Sequence, residues 1–253
     1  MFDKFRRSRN DPTRPNYPAG KRMYCIGDIH GRADLLQELH ALIEQDAEGF
    51  DGAPQVLYLG DYVDRGEYSR QVLEMLVEQP LPGFEAIHLL GNHEQAMLDF
   101  LADPVAMAGW LAWGGLATLR SYGIHAPMVP LRAQLEELRD QLDRELPGAH
   151  RDFLENCRRS YAEGSYYFVH AGLRPGVAVE KQAFEDQLWI RDEFLQSHAD
   201  HGVIVVHGHT ISEQAELQPN RIGIDTGAFY TGVLTCLVLE GSRQRLLQTG
   251  SPE

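Results

Sequence analysis

Six side chains able to bind a metal cation follow short apolar runs of the sequence. Asp28 and His30 come after Met23-Tyr24-Cys25-Ile26, and Asp61 comes after Val56-Leu57-Tyr58-Leu59. Asn92 closes Glu85 to Leu90, His170 follows Tyr166 to Val169, and His209 follows Val203 to Val206. Carboxylate, imidazole and amide donors with no thiolate suit manganese, iron or zinc, not a cysteine-held zinc or a calcium site. Six donors are too many for one catalytic zinc with an open position and match two ions sharing a bridge. Two ions about 3.5–4 Å apart clamp both the attacking and the leaving oxygen of an in-line phosphoryl displacement. A water held between such ions becomes hydroxide near neutral pH, because coordination lowers its pKa by many units.

These side chains need a scaffold that delivers them to one place. Asp28 to Asp61 spans 33 residues and Asp61 to Asn92 spans 31, and a βαβ unit takes roughly 30. Between the apolar runs lie helical patterns: Leu35, Leu36, Leu39, Leu42 and Ile43; then Val72, Leu73, Leu76 and Val77; then Ala96, Met97, Phe100 and Leu101. Three strand–loop–helix units therefore predict a parallel sheet whose loops share one edge, where open α/β sheets bind ligands. The second of these loops, Gly60-Asp61-Tyr62-Val63-Asp64-Arg65-Gly66, holds two carboxylates and an arginine. In the second half, strands are expected at Tyr166–Val169, Val203–Val206 and Arg221–Ile224. Gly232–Leu239 and Arg243–Gln248 read as a closing antiparallel pair.

Residues 103–160 differ in character. Trp110 to Gly115 precedes a helical stretch, and Leu131, Leu135, Leu138 and Leu142 form an apolar stripe. They read as a helical insertion packed on the sheet, with a cap over the ligand cleft as the sharper alternative.

The 253-residue chain has a net charge of -14, 43% hydrophobic residues and 24% charged ones, as in an ordinary globular protein. No run of 18 apolar residues is long enough to span a bilayer, and the amino-terminal stretch lacks the apolar core of a secretory signal. Cys25, Cys157 and Cys236 are widely spaced and read as free thiols of a cytoplasmic protein. Residues 1–22 carry about +5, leaving about -19 for the body, which repels nucleic-acid backbones and argues against duplex binding. The basic leader, residues 1–20, is expected to be a flexible tail, with a docking segment as the alternative.

The ordered motifs GDIHG (residues 27–31), GDYVDRG (60–66), GNHE (91–94), HAG (170–172) and HGHT (207–210) closely resemble those of the calcineurin-like metallophosphoesterases. Within that superfamily they resemble the phosphoprotein phosphatase branch, especially its bacterial and phage serine/threonine phosphatases. The resemblance implies an α/β fold, a β-sandwich flanked by helices, with a single domain over 21–250 and a helical insertion at 103–160. It also implies two divalent ions, manganese first, with iron, zinc, cobalt or nickel as alternatives.

Carried over residue by residue, Asp28 and His30 would hold the first ion, Asp61 would bridge, and Asn92, His170 and His209 would complete the second. His93 would protonate the leaving oxygen with Asp64 orienting its ring, while Arg65 and Arg191 (of Trp189-Ile190-Arg191) would bind phosphate. His207 is the rival of His209, since side chains two apart in a strand point the same way; the resemblance selects His209 and leaves His207 a supporting place. Asp225 would support a ligand histidine. His40, His88, His125, His150, His198 and His201 read as core or surface histidines.

The superfamily often ends its last motif in Gly-His-x-His, but here that second position is Ile211. The implied function is hydrolysis of phosphoserine and phosphothreonine in proteins, extending to phosphotyrosine, by hydroxide generated at the metal pair. The alternative is symmetrical cleavage of diadenosine tetraphosphate; its enzymes commonly read GNHD and can replace Asp64, and Glu94 and Asp64 here lean toward the phosphatase.

Overall fold

The computed structural model describes residues 15–78 and 81–250. The chain opens with β1 (Lys21–Ile26), α1 (Ala33–Ala47), β2 (Ala53–Tyr58), α2 (Ser69–Val77), β3 (Glu85–His88) and α3 (Asn92–Ala102). A π-helical turn, Leu111–Gly115, leads into α4 (Leu116–Ser121), α5 (Arg132–Glu145) and α6 (Gly148–Asn156). Then come β4 (Ser160–Glu163), β5 (Tyr166–Val169), α7 (Phe184–Trp189), α8 (Asp192–Leu195), β6 (Ile204–His207), β7 (Glu216–Leu217) and β8 (Arg221–Gly223). The short α9 (Ala228–Thr231) precedes the hairpin β9 (Thr235–Glu240) and β10 (Arg243–Gln248).

Two five-stranded sheets result, in the orders β10-β9-β1-β2-β3 and β4-β5-β6-β8-β7. The expected parallel trio β1-β2-β3 is present, and β5, β6 and β8 form a second parallel trio. Two short edge strands, β4 and β7, had no period-two apolar signal to announce them; their sequences are SYAE and EL.

Strand alternation builds the layers. Met23, Cys25, Leu57, Ile87 and Leu237 of the first sheet meet Tyr166, Phe168, Val206 and Ile222 of the second in the space between the sheets. On the outer face of the first sheet, Tyr24, Ile26, Val56, Tyr58 and Val238 pack against the apolar stripes of α1, α2 and α3. Tyr167, Val169 and Val205 face outward from the second sheet onto Leu173, Ile190 and Phe194. The result is the predicted helix-flanked β-sandwich.

The insertion divides into two parts. Leu135, Leu138 and Leu142 of α5 are buried in the helical layer, as the stripe predicts, but Leu131 is 74% exposed. Leu131 precedes the first helical turn, where its backbone N–H is taken by the Gln134 side chain, so it leaves the helical stripe. The earlier part, 110–121, instead reaches the strand-end loops. At the amino-terminal side the folded body begins before residue 20: Tyr17 is fully buried, and its hydroxyl donates to Gln55 Oε1 at 2.5 Å. The tail boundary expected at residue 20 thus moves back to Tyr17 at least, and the rest of that segment, 1–14, lies outside the described residues. Among the described residues no helix is long and apolar enough to cross a membrane.

Candidate metal centre

Among the described residues, five other than glycine have positive φ: His30 (45°), Asp61 (53°), Asp64 (74°), Arg65 (66°) and His209 (64°). Side chains other than glycine avoid this region, and where they occupy it the surroundings must hold them there. All five were singled out by their chemistry. The loops after β1 and β2 are stitched together: the N–H groups of Ile29 and His30 donate to Asp61 O, Gly31 N–H donates to Tyr62 O, and Gly66 N–H donates to His30 O. A Cβ at Gly66 would lie 2.2 Å from His30 O, so only glycine allows this closure.

Glu94 organises the next loop. Its buried carboxylate accepts the N–H groups of Asp61 (2.8 Å), Tyr62 (2.7 Å), Val63 (3.1 Å) and Gly91 (3.0 Å). It thereby ties the loop carrying Asp61 to the start of α3, which carries Asn92 and His93. Burial, then Asp61, push the Glu94 pKa up to about 8, against the pull of the N–H donors. The motif displayed Glu94, but only the folded loop shows what it holds.

The histidines face Asp61 with lone pairs. His30 Nδ1 is 2.8 Å from Val63 O and His170 Nδ1 is 2.9 Å from Leu59 O. A carbonyl only accepts, so both protons sit on Nδ1 and both Nε2 atoms are bare. These Nε2 atoms stand 3.4 Å from the two oxygens of Asp61. His170 Nε2 and His209 Nδ1 also lie 2.9 and 2.8 Å from Asn92 Oδ1, and His209 Nε2 is buried without a partner. Acceptors turned toward acceptors repel one another unless a cation lies among them.

Candidate ligand atoms of His30, Asp61 and His93, and those of Asp61, His170 and His209, each fall within 4.8 Å of one another. Burial lowers the pKa of His30 to about 3 and of His209 to about 2, and it lowers that of His170 too. Burial opposes ionisation of Asp61, but the surrounding histidines, His170 first, hold its pKa well below the usual range. Neutral imidazoles around an ionised carboxylate are the protonation states that divalent ions require. The donor set fits such ions.

Beside this cluster, His93 Nδ1 lies 2.6 Å from Asp64 Oδ2. The buried Asp64 also accepts Trp110 Nε1–H at 2.8 Å and the Thr118 hydroxyl at 2.6 Å. Burial opposes a charge on His93, yet Asp61 and Asp64 outweigh it and leave its pKa raised. Arg65 directs Nη1 to His30 Nε2 (2.8 Å) and Nη2 to His93 Nε2 (3.1 Å). Neither Trp110 nor Thr118 carried a local signal, because each meets Asp64 across a long stretch of chain.

The remaining expected residues are placed as follows. Asp28 is buried in the same pocket, but its oxygens accept His209 N–H at 3.0 and 3.2 Å. Burial, then Asp225 and Asp61, push its pKa well up. Asp225 does not meet a ligand histidine. Its Oδ1 accepts Gly227 N–H at 2.9 Å, Oδ2 is buried without a partner, and the carboxyl of Asp28 is its neighbour. The loop from Ile224 to Gly227 turns this carboxyl toward Asp28.

His209, not His207, enters the cluster. His207 ends β6 with its ring against Phe194 (5.1 Å between centroids), and burial takes its pKa down to about 4. The left-handed backbone at His209 breaks the strand alternation that would have kept the two rings on one side. Arg191 lies on the flank of His209, donating to His209 O (3.3 Å) and Thr210 Oγ1 (3.2 Å).

The family described as calcineurin-like phosphoesterase matches residues 21–227. The chain is 30% identical over 163 residues to a symmetrical bis(5'-nucleosyl)-tetraphosphatase of Aromatoleum aromaticum, covering 62% of this chain but only 46% of that relative. It is 24% identical over 243 residues to the asymmetrical bis(5'-nucleosyl)-tetraphosphatase PrpE of Bacillus thuringiensis, covering 84% and 88%. Among solved structures it is similar in fold to a cold-active protein tyrosine phosphatase, at a TM-score of 0.57 and 18% identity over 91% and 78% of the two chains. With its strand-end donors gathered on one edge of a helix-flanked sandwich, the chain belongs to the calcineurin-like phosphoesterase family.

Proposed function

We propose that the protein is a phosphomonoesterase dependent on two divalent ions, manganese first, that acts on phosphorylated protein side chains. The observation that carries this reading is the bare Nε2 atoms of His30 and His170 converging on Asp61 beside the His93–Asp64 pair and Arg65. Asp61 would bridge the ions, Asp28 and His30 would serve one, and Asn92, His170 and His209 the other. When bound, such ions supply Lewis-acid activation of water and of the phosphoryl oxygens.

The chain's own groups do the rest. Arg65 donates to the lone pairs of His30 and His93. A phosphate's oxygens are stronger acceptors for the guanidinium fork, so Arg65 turns to them and releases His93 Nε2. With Asp64 fixing Nδ1–H and the two carboxylates Asp61 and Asp64 favouring the charged ring, the freed Nε2 takes up a proton from solvent and passes it to the leaving oxygen. Arg191 approaches the same anion from the His209 side.

The second reading, hydrolysis of dinucleoside polyphosphates, is supported by the names of the two relatives. Asp64 and Glu94 lean toward the phosphomonoesterase. One assay separates them: the manganese-loaded protein is given a phosphoserine peptide and diadenosine tetraphosphate in parallel. Inorganic phosphate from the peptide is the expected product; ADP release with the peptide untouched would replace the first reading by the second.

A further inference from the structure

Aromatic side chains stand on both flanks of the centre. On one flank the Phe229 ring lies 5.7 Å from His30, edge to face, and the Arg65 guanidinium stacks over it at 4.9 Å. Tyr230, 61% exposed, packs on Phe229 at 5.1 Å. On the other flank the Trp189 ring lies 6.1 Å from His209, and Trp113, 44% exposed, packs on Trp189 at 5.6 Å.

The two flanks join. Gly227 lies against both the Tyr230 ring and the Ile211 side chain. Thr210, next to Ile211 in the chain, is held by Arg191. The chain at Gly114, next to Trp113, rests on Arg65, which donates its backbone N–H to Gly114 O. Arg65 thus meets Phe229 and, through it, Tyr230, whose ring flanks Gly227 together with Ile211; Arg191 holds Thr210, the chain neighbour of Ile211, and Trp189, two residues before Arg191, packs on Trp113. Two arginines and two aromatic pairs therefore stand against the His30 and His209 flanks of the cluster. Folding leaves large aromatic rings exposed only at a cost in buried apolar area. Of the large aromatics exposed among the described residues, Tyr68, Trp113 and Tyr230, two belong to this rim and the third lies three residues beyond Arg65.

We infer that this rim selects phosphomonoesters whose leaving oxygen is carried directly on an aromatic ring, the phosphotyrosine class; the inference rests on the phosphomonoesterase reading above. Phe229 and Trp189 sit one ring contact from His30 and His209, so a phosphate held there places a ring attached to its ester oxygen beside them. The methylene of a phosphoserine offers no π face at that depth. A nucleoside base stands further out, beyond its ribose. Ile211, where the superfamily often carries a histidine, keeps the Tyr230 side of the rim apolar.

The test uses the full chain loaded with manganese and the variants Trp113→Ala, Trp113→Leu and Tyr230→Ala. Circular dichroism and manganese titration establish that each is folded and loaded. Each variant should raise KM for a phosphotyrosine peptide about three- to tenfold, with kcat unchanged and the phosphoserine peptide shifted by less than about twofold, the worth of one aromatic contact. Equal shifts on both peptides, or a shift confined to diadenosine tetraphosphate, overturn the inference. Inhibition by phenylphosphonate against methylphosphonate, measured on whichever substrate the parent cleaves, separates the two claims. If the parent cleaves no monoester, the phosphomonoesterase reading fails; weaker inhibition by phenylphosphonate alone in the variants still supports an aryl-binding rim, and unchanged inhibition overturns it.

Discussion

His93 and Glu94 are adjacent in the chain and perform separable tasks. His93 holds Nδ1 on Asp64, and in the proposed mechanism its Nε2 would protonate the leaving oxygen, so His93→Asn should keep both ions while turnover on an alkyl phosphate falls about 10²–10⁴-fold. The fall should be smaller on a phenolic ester, whose leaving group needs less protonation; equal falls on both esters would argue against a proton donor. Glu94 touches no candidate ligand ring and instead collects four backbone N–H groups. In Glu94→Gln one oxygen becomes an amide nitrogen facing N–H donors, and each buried group left unpaired costs about 1–3 kcal/mol. Manganese affinity should drop about tenfold to a hundredfold as the Asp61 loop loosens, the usual cost of losing a group that orients a ligand. Glu94→Asp, which keeps both acceptor oxygens, should recover part of it. A manganese isotherm unchanged in Glu94→Gln would remove Glu94 from the positioning role.

At the scale of elements, parallel strands bring the loops together and the insertion completes one of them. The π-helical turn and α4 reach over the loop after β2 so that Trp110 and Thr118 close on Asp64, while α5 and α6 only thicken the helical layer. Trp110→Phe preserves the packing against Phe100 but removes the N–H that Asp64 Oδ2 accepts. We expect kcat about tenfold lower, on the scale of lost orienting contacts, with KM and manganese stoichiometry unchanged and the alkaline limb of the pH–rate profile, where His93 loses its proton, displaced. A wild-type profile in that variant would confine the insertion to a packing role.

For the whole molecule, acid sensitivity follows from buried neutral histidines as well as from the carboxylate-rich surface. His40, on α1, is buried with Nε2 against the Tyr58 hydroxyl at 2.9 Å, and burial lowers its pKa from 6.5 to about 4. Above pH 6.5 neither folded nor unfolded chain protonates it, and the stability is complete. Between 6.5 and 4 the unfolded chain takes up a proton that the folded chain refuses, so stability falls as pH falls; below 4 both are protonated and the loss stops. At about 1.4 kcal/mol per pH unit this single group accounts for roughly 3 kcal/mol. Urea unfolding at pH 7.5 and 4.5 should therefore show a shallower loss in His40→Gln than in the parent, by about 2 kcal/mol. Parallel losses would mean that His40 is protonated in the folded state.

The sequence by itself determined the repeat of strand, loop and helix, the shared edge of β1, β2 and β3, and the identity of the donors. Each of these depends on local period and on spacing that a right-handed parallel crossover converts directly into position. Tertiary structure decided what those signals could not reach. His209 displaces His207 because its backbone is held left-handed at 64°, a condition imposed by the loops around it and not by the alternation of β6. Asp64 depends on Trp110 and Thr118, 46 and 54 residues away, and Asp28 faces the backbone of His209, 181 residues on. Asp225 turns to Asp28 and not to a histidine for the same reason. The aromatic rim draws on the π-helical turn, α7, α9 and the loops after β2 and β6 at once. Contacts of that separation are set by how two sheets and an insertion pack, and no local pattern in the chain encodes them.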